Sequence, residues 1–219
     1  MRTNRRSFLE TMAIGTLGAV AAGELGATPP PMQGRQWDLS WVSKLTGRYR
    51  AIFDVTSVED GFGVWRAAIW RKQYATVFAV PERDLDTVVN LRHDAISLVL
   101  DQDYWAKYGV ARKWNVHDPA TRMPTSRNPV IDRTGANALP PEFADFTLEA
   151  LMKGGAIVLV CALALRDCAS LVAQTDKVDM AEAEAVVRRS LAPGVILQPS
   201  GIFSAVLAQD NGCRYVRAS

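Results

Sequence analysis

The chain has 219 residues, 48% hydrophobic and 22% charged, with 25 Lys and Arg against 23 Asp and Glu. Such a mixture excludes a disordered chain, a coiled coil, a collagen-like fibre and a disulfide-dense miniprotein, and a formal charge of +2 is too balanced for a basic nucleic-acid-binding surface. The length fits one ordinary domain, and three cysteines without a CxxC pair suit neither a structural zinc knuckle nor a disulfide framework.

The amino end reads as an address. Asn4-Arg5-Arg6-Ser7-Phe8-Leu9 precedes an apolar run from Met12 to Ala22 and resembles a twin-arginine export signal. The run is shorter than the ~20 apolar residues that a membrane span needs. Small residues suited to cleavage follow at Ala19-Val20-Ala21 and Gly26-Ala27. Residues 1–27 are therefore expected to be a removed signal, which places the mature protein in the periplasm or otherwise outside the cytoplasm. No other segment is long and apolar enough to span, so no membrane span is expected in the mature chain. Residues 28–47 read as a spacer, extended at Pro29-Pro30-Pro31, and then a short helix over 38–45 carrying Leu39, Val42 and Leu45.

From residue 48 onward strand and helix alternate. A β-rich run predicts a strand over 49–55. Helical spacing of apolar residues predicts a helix over 62–78 with Ser57 as its N-cap. A second strand is expected at 87–91 and a helix over 95–108, ending near Gly109. The stretch 110–141 holds five of the eleven prolines, Pro119, Pro124, Pro129, Pro140 and Pro141. It reads as a structureless insertion of the kind used as a lid, a binding loop or an oligomer arm. A helix over 142–152 leads to an all-apolar run at 156–160, expected of a central parallel strand covered on both faces. Helices over 162–174 and 180–191, a strand at 195–197, a helix over 202–210 and a strand at 214–216 complete the chain. The tryptophans fit packing: Trp65 shares a helical face with Ala68 and Ile69, Trp105 lies three residues from Tyr108, and Trp37 and Trp41 would pin the first helix.

Strands spaced by helices imply right-handed βαβ units and a three-layer α/β sandwich, with a parallel-rich sheet of about five strands flanked by helices. In such sheets ligands bind beyond the carboxyl ends of the strands. The candidates are thus Asp54, His93, Cys161 and the Gln198-Pro199-Ser200 run.

Several chemistries lack their motifs. No GxxxxGK[ST] occurs, no GxSxG occurs, and Gly61-Phe62-Gly63 meets Arg66 where a dinucleotide fingerprint needs a third glycine. Only His93 and His117 are histidines, with no spacing that makes a metal pair; neither cofactor nor metal is expected. Cys161 stands where the central strand hands over to a helix. Amide groups at a helix start favour a thiolate, the form that attacks sulfur; a small buried hydrophobe is the alternative reading. Cys168, with Leu165, Ala169 and Val172 on one face, reads as core, and Cys213 as structural. A Cys161–Cys168 disulfide is disfavoured, because seven helical residues rise about 10 Å, while pairing with Cys213 stays open.

Three blocks resemble the DsrE/DsrF-like family of sulfur-relay proteins. They are the strand–Cys–helix segment at 157–165, Val88-Val89-Asn90-Leu91-Arg92-His93, and the tail from Val195-Ile196-Leu197-Gln198-Pro199-Ser200-Gly201 through Gln209-Asp210-Asn211-Gly212 to Tyr215-Val216. The chain departs from that family at Asp94, where glycine is common, and in its insertion and export signal, which set it nearer an exported branch. The resemblance implies a DsrE-like domain over 48–219 that assembles into homo-oligomers. It implies further that Cys161 occupies the place of the family's sulfur-carrying cysteine, with a small sulfur species or a sulfur-carrier protein as partner.

His93 would share a sheet edge with Cys161 and take its proton or pair with the thiolate; helix capping or packing is the alternative. Asp54 would orient that histidine or serve a turn. The insertion carries Arg112, Lys113, Arg122, Arg127 and Arg133. Folded over the site, Arg127 with Asn128 would hold an anionic sulfur species, with Ser200 as a third binding residue; a solvated surface or subunit arm explains the same residues. The reading is an exported sulfur carrier or transferase acting through Cys161 and His93. Its alternatives are a non-catalytic binding or assembly module on the same fold, and a thiol–disulfide redox protein.

Overall fold

Five β-rich runs meet in one sheet: β1 (Tyr49–Val55), β2 (Leu85–Leu91), β3 (Ile157–Cys161), β4 (Ile196–Gln198) and β5 (Arg214–Arg217). Their order is β4-β3-β2-β1-β5, and every pairing is parallel. Among the described residues seven α-helices accompany them: α1 (Phe62–Phe78), α2 (Gln102–Lys107), α3 (Val110–Lys113), α4 (Leu148–Lys153), α5 (Ala162–Asp176), α6 (Met180–Arg189) and α7 (Gly201–Asp210). The computed structural model describes residues 37–118, 120–131 and 139–219. The expected export signal and residues 28–36 of the spacer lie outside them.

Strand periodicity makes the layers. Side chains alternate between the faces of a sheet, so Phe53, Val89 and Val160 enter one core with Val64 and Trp65 of α1 and Leu165 of α5. Their neighbours Ile52, Val88 and Leu159 enter a second core with Trp41, Leu45 and, from α7, Ala205 and Ala208. The result is a three-layer α/β sandwich. The stepwise crossovers β1→β2→β3→β4 keep their helices on the first face. The last connection doubles back past β1, and a right-handed crossover in the reverse direction must lie on the other face. Hence α7 packs opposite α5, although β3 and β4 are neighbours. The chain leaves these two strands toward opposite faces, and a crevice opens at their carboxyl ends.

Four elements differ from the sequence expectation, each for a local reason. The helix expected over 95–108 breaks into a 3-10 helix (His93–Val99) and α2. Between them the backbone is spent elsewhere: Ala192 N–H donates to the Val99 carbonyl at 2.8 Å and Asp101 N–H to that of Ser190 at 2.8 Å, after which the Asp101 carboxylate caps α2 at Tyr104 N–H. Thr147 likewise divides the helix expected over 142–152, capping α4 at Ala150 N–H. Ser57 does not cap α1; the chain turns through left-handed Asp60 and Gly61, and Gly61 (φ 86°) takes that place. The helix over 38–45 is a 3-10 segment (Ser40–Lys44) that buries Trp41; Leu45, just past its end, is buried too, while Leu39 is 43% exposed.

The described part of 110–141 is not structureless. It holds α3, an antiparallel bridge between His117 and Pro124, and the buried residues Asn128, Val130 and Ile131. Among the described residues, no helix is long and apolar enough to cross a membrane. Trp41, Trp65 and Trp105 are all buried, in keeping with packing.

Candidate functional site

The crevice between the ends of β3 and β4 is bounded by two helix starts. Cys161 is both the last residue of β3 and the N-cap of α5, its extended backbone turning so that Sγ accepts the Ala164 N–H at 3.5 Å. Ser200 caps α7 in the same manner, with Oγ accepting the Phe203 N–H at 3.1 Å. Beyond β2, His93 sits in the left-handed region (φ 50°) at the head of the 3-10 helix, and the residue is exposed. Cys161, His93 and Ser200, with Arg92, Leu163 and Asp167, line a pocket of about 150 Å³ that Gly201 and Ile202 complete. The structure thus brings Cys161, His93 and Ser200 together. Cys161 is mostly covered, 6% exposed, and lines this cavity.

A buried ionic network underlies the pocket. Asp54, 2% exposed, accepts two bonds of 2.8 Å from the Arg92 guanidinium, one of 2.7 Å from the Tyr215 hydroxyl and one of 2.9 Å from the Asn90 amide. Burial pushes the Asp54 carboxyl up, but the bonds from Arg92, Tyr215 and Asn90 outweigh it and hold it below its ordinary value. The same carboxylate raises the Tyr215 hydroxyl. Asn90 also donates to the Gly201 carbonyl at 2.9 Å. A Cβ on Gly201 would stand 2.4 Å from Arg92 Cδ, so glycine is what lets α7 begin directly over this arginine. The Asp54 carboxylate therefore serves Arg92, Tyr215 and Asn90, in place of the two roles the sequence offered, orienting His93 or serving a turn or cap.

Arg127 and Asn128 are not brought to the pocket. Arg127 is exposed, and its backbone N–H bonds Thr125 Oγ1 at 3.1 Å. Asn128 is buried and fully engaged: Nδ2 donates to the carbonyls of Leu98 and Leu100 at 3.0 and 2.8 Å, and Oδ1 accepts the Val130 N–H at 3.0 Å. It stitches the insertion to the break between the 3-10 helix and α2. Asn128→Ala strands these buried groups and is expected to lower stability by about 2–3 kcal/mol in urea unfolding; a loss below ~0.5 kcal/mol would show that the amide is dispensable. Arg122 pairs with Asp60 at 3.2 Å, and Arg133 lies outside the described residues.

Arg92, Leu163, Asp167 and Ile202 were missed by sequence reasoning. Arg92 obeys the carboxyl-end rule but was passed over for its neighbour His93. Leu163 and Asp167 are four apart on the helix that starts at Cys161, so helical spacing carried the signal.

All three cysteines are free thiols and buried. Burial pushes Cys168 and Cys213 up to about 11. Cys213 precedes β5, at the amino edge of a parallel sheet whose carboxyl edge carries Cys161. The pairing left open by the sequence would have to cross the sheet. Among the described residues, no three His, Cys, Asp or Glu side chains are grouped to hold a metal ion. No family model, curated protein or solved structure matches the chain.

Proposed function

We propose that the protein accepts sulfane sulfur on Cys161 as a persulfide and passes it to an acceptor thiol, as the resemblance to an exported DsrE-like branch implies. The observation that carries this reading is the shared pocket of Cys161 and His93 at the carboxyl ends of β3 and β2. Cys161 there caps the start of a 15-residue helix, an end that attracts negative charge.

The step is a sulfur exchange. Cys161–S⁻ attacks the outer sulfur of a donor R–S–SH; a new S–S bond forms and the donor's S–S bond breaks. The Cys161 proton, taken first by the His93 ring, goes to the leaving R–S⁻. The sum, Cys–SH + R–S–SH → Cys–S–SH + R–SH, needs no outside oxidant or reductant. Delivery runs the same step in reverse onto an acceptor thiol. Cys213, on the far edge of the sheet, offers no resolving partner, which favours this over thiol–disulfide chemistry. The protein works outside the cytoplasm after loss of residues 1–27, and as a homo-oligomer.

The test treats the mature protein with glutathione persulfide, alkylates it and maps the peptides by mass spectrometry. One added sulfur is expected at Cys161 and none at Cys168 or Cys213. His93→Ala is expected to slow uptake near neutral pH by about 10²-fold, the scale of one acid–base group, with the loss shrinking at alkaline pH. Absence of added sulfur at Cys161 in the folded protein overturns the proposal and leaves a binding module.

A further inference from the structure

This inference rests on the sulfur-handling reading and names the donor that the pocket takes. We infer that the Cys161 pocket selects an organic persulfide with an apolar body over an inorganic sulfur anion such as thiosulfate, and that Leu163, Ile202 and Asp167 make that choice.

Charge is the first ground. Among the described residues, the one guanidinium on the pocket wall, Arg92, is matched by Asp54 through two bonds of 2.8 Å. Asp167 adds a carboxylate to the same wall. The fixed side-chain charges therefore leave an excess of one negative, before His93 is counted. The starts of α5 and α7 offset this by about half a charge each. Their Ala164 and Phe203 N–H groups are already bonded to Cys161 Sγ and Ser200 Oγ. With the Cys161 proton on His93, imidazolium and thiolate cancel each other, and the two helix starts no more than balance Asp167. A dianion entering the pocket therefore finds no unmatched cation among the described residues.

The second ground is the rim. Leu163 is 63% and Ile202 69% exposed, and these large aliphatic side chains line the pocket from α5 and α7. Ala164 and Gly201 continue the same lining. Apolar exposure extends along α7 through Phe203 and Val206. An apolar donor body covers Leu163 and Ile202 as its sulfur reaches Cys161, and water leaves both surfaces. Thiosulfate has nothing to cover them with and keeps its hydration only by staying outside.

Benzyl persulfide and thiosulfate are the probes, and added sulfur at Cys161 is the readout. Benzyl persulfide is expected to load Cys161 at least tenfold faster at equal concentration. Leu163→Ser with Ile202→Ser, both at exposed positions, is expected to raise the benzyl persulfide concentration that half-saturates the loading rate several-fold, with a smaller change in the maximal loading rate. Asp167→Asn is expected to raise the thiosulfate rate. Equal or faster loading from thiosulfate overturns this inference and leaves the sulfur-handling reading standing, as does a rim variant that slows both donors alike. Loading from neither donor overturns both.

Discussion

Cys161→Ser is expected to abolish sulfur uptake while leaving the fold intact. The two effects separate because the side chain has one structural job and one proposed chemical job. As N-cap of α5 it accepts the Ala164 N–H through Sγ at 3.5 Å, a long and weak bond of a sulfur acceptor. A serine hydroxyl is a good N-cap, and it can take over that bond with a stronger acceptor. Burying a hydroxyl where a thiol stood works the other way, and the net change in stability is expected to stay within about 1 kcal/mol. As nucleophile, however, serine at neutral pH supplies neither a thiolate nor a sulfur that forms a persulfide. Mass spectrometry of the persulfide-treated variant should find no added sulfur, and its melting temperature should lie close to that of the parent. If the variant kept its sulfur uptake, Cys161 would not be the carrier. If it unfolded, the thiol would be chiefly a packing group.

Asp54→Ala is expected to cost about 3 kcal/mol of stability, the largest loss of any single substitution proposed for this molecule. Removing one member of a buried ion pair leaves the other uncompensated, at about 3–5 kcal/mol. The lower end applies because the Arg92 side chain is 22% exposed and can reach some water. The Tyr215 hydroxyl and the Asn90 amide lose their shared acceptor as well. The same carboxylate sets an acid dependence. Its folded value is lowered from the ordinary one, so the unfolded chain binds the proton more readily. The contribution is fully present above the unfolded value of about 4 and is lost as pH falls through the folded one. Urea unfolding from pH 7 down to pH 3 should show the parent losing stability below about pH 4, and Asp54→Ala should flatten that slope. A parallel pair of curves would show that another group controls the acid limb. Because Arg92 lies under the start of α7, the variant should also disturb the pocket.

Local periodicity wrote much of this fold into the chain. The run 49–55 and the helix over 62–78 appear with the boundaries their side-chain spacing implies, and the all-apolar run at 156–160 is, one residue on, the covered strand it reads as, Ile157–Cys161. The misreadings share a cause. The breaks at Asp101 and Thr147 occur where backbone groups bond to distant segments, Ser190 and Ala192 in one case and Val130 in the other. Helical spacing on either side carries no trace of those partners. Asn128 was misplaced for the same reason, since its amide is spent on carbonyls 28 and 30 residues away.

The carboxyl-end rule, applied to the sequence alone, was enough to nominate Cys161, His93 and Ser200, because it needs only strand endings and a parallel sheet. The partition of the polar residues among them needed the tertiary structure. Asp54 and Arg92 are 38 residues apart and become a pair because β1 and β2 lie side by side in register. α7 lies across from α5 because the last crossover reverses direction. That reversal opens the crevice, sets Gly201 over Arg92, and decides which charges the pocket presents and which it neutralises. Spacing along a chain encodes which face a residue occupies; which distant charge it meets there follows from strand order and crossover hand.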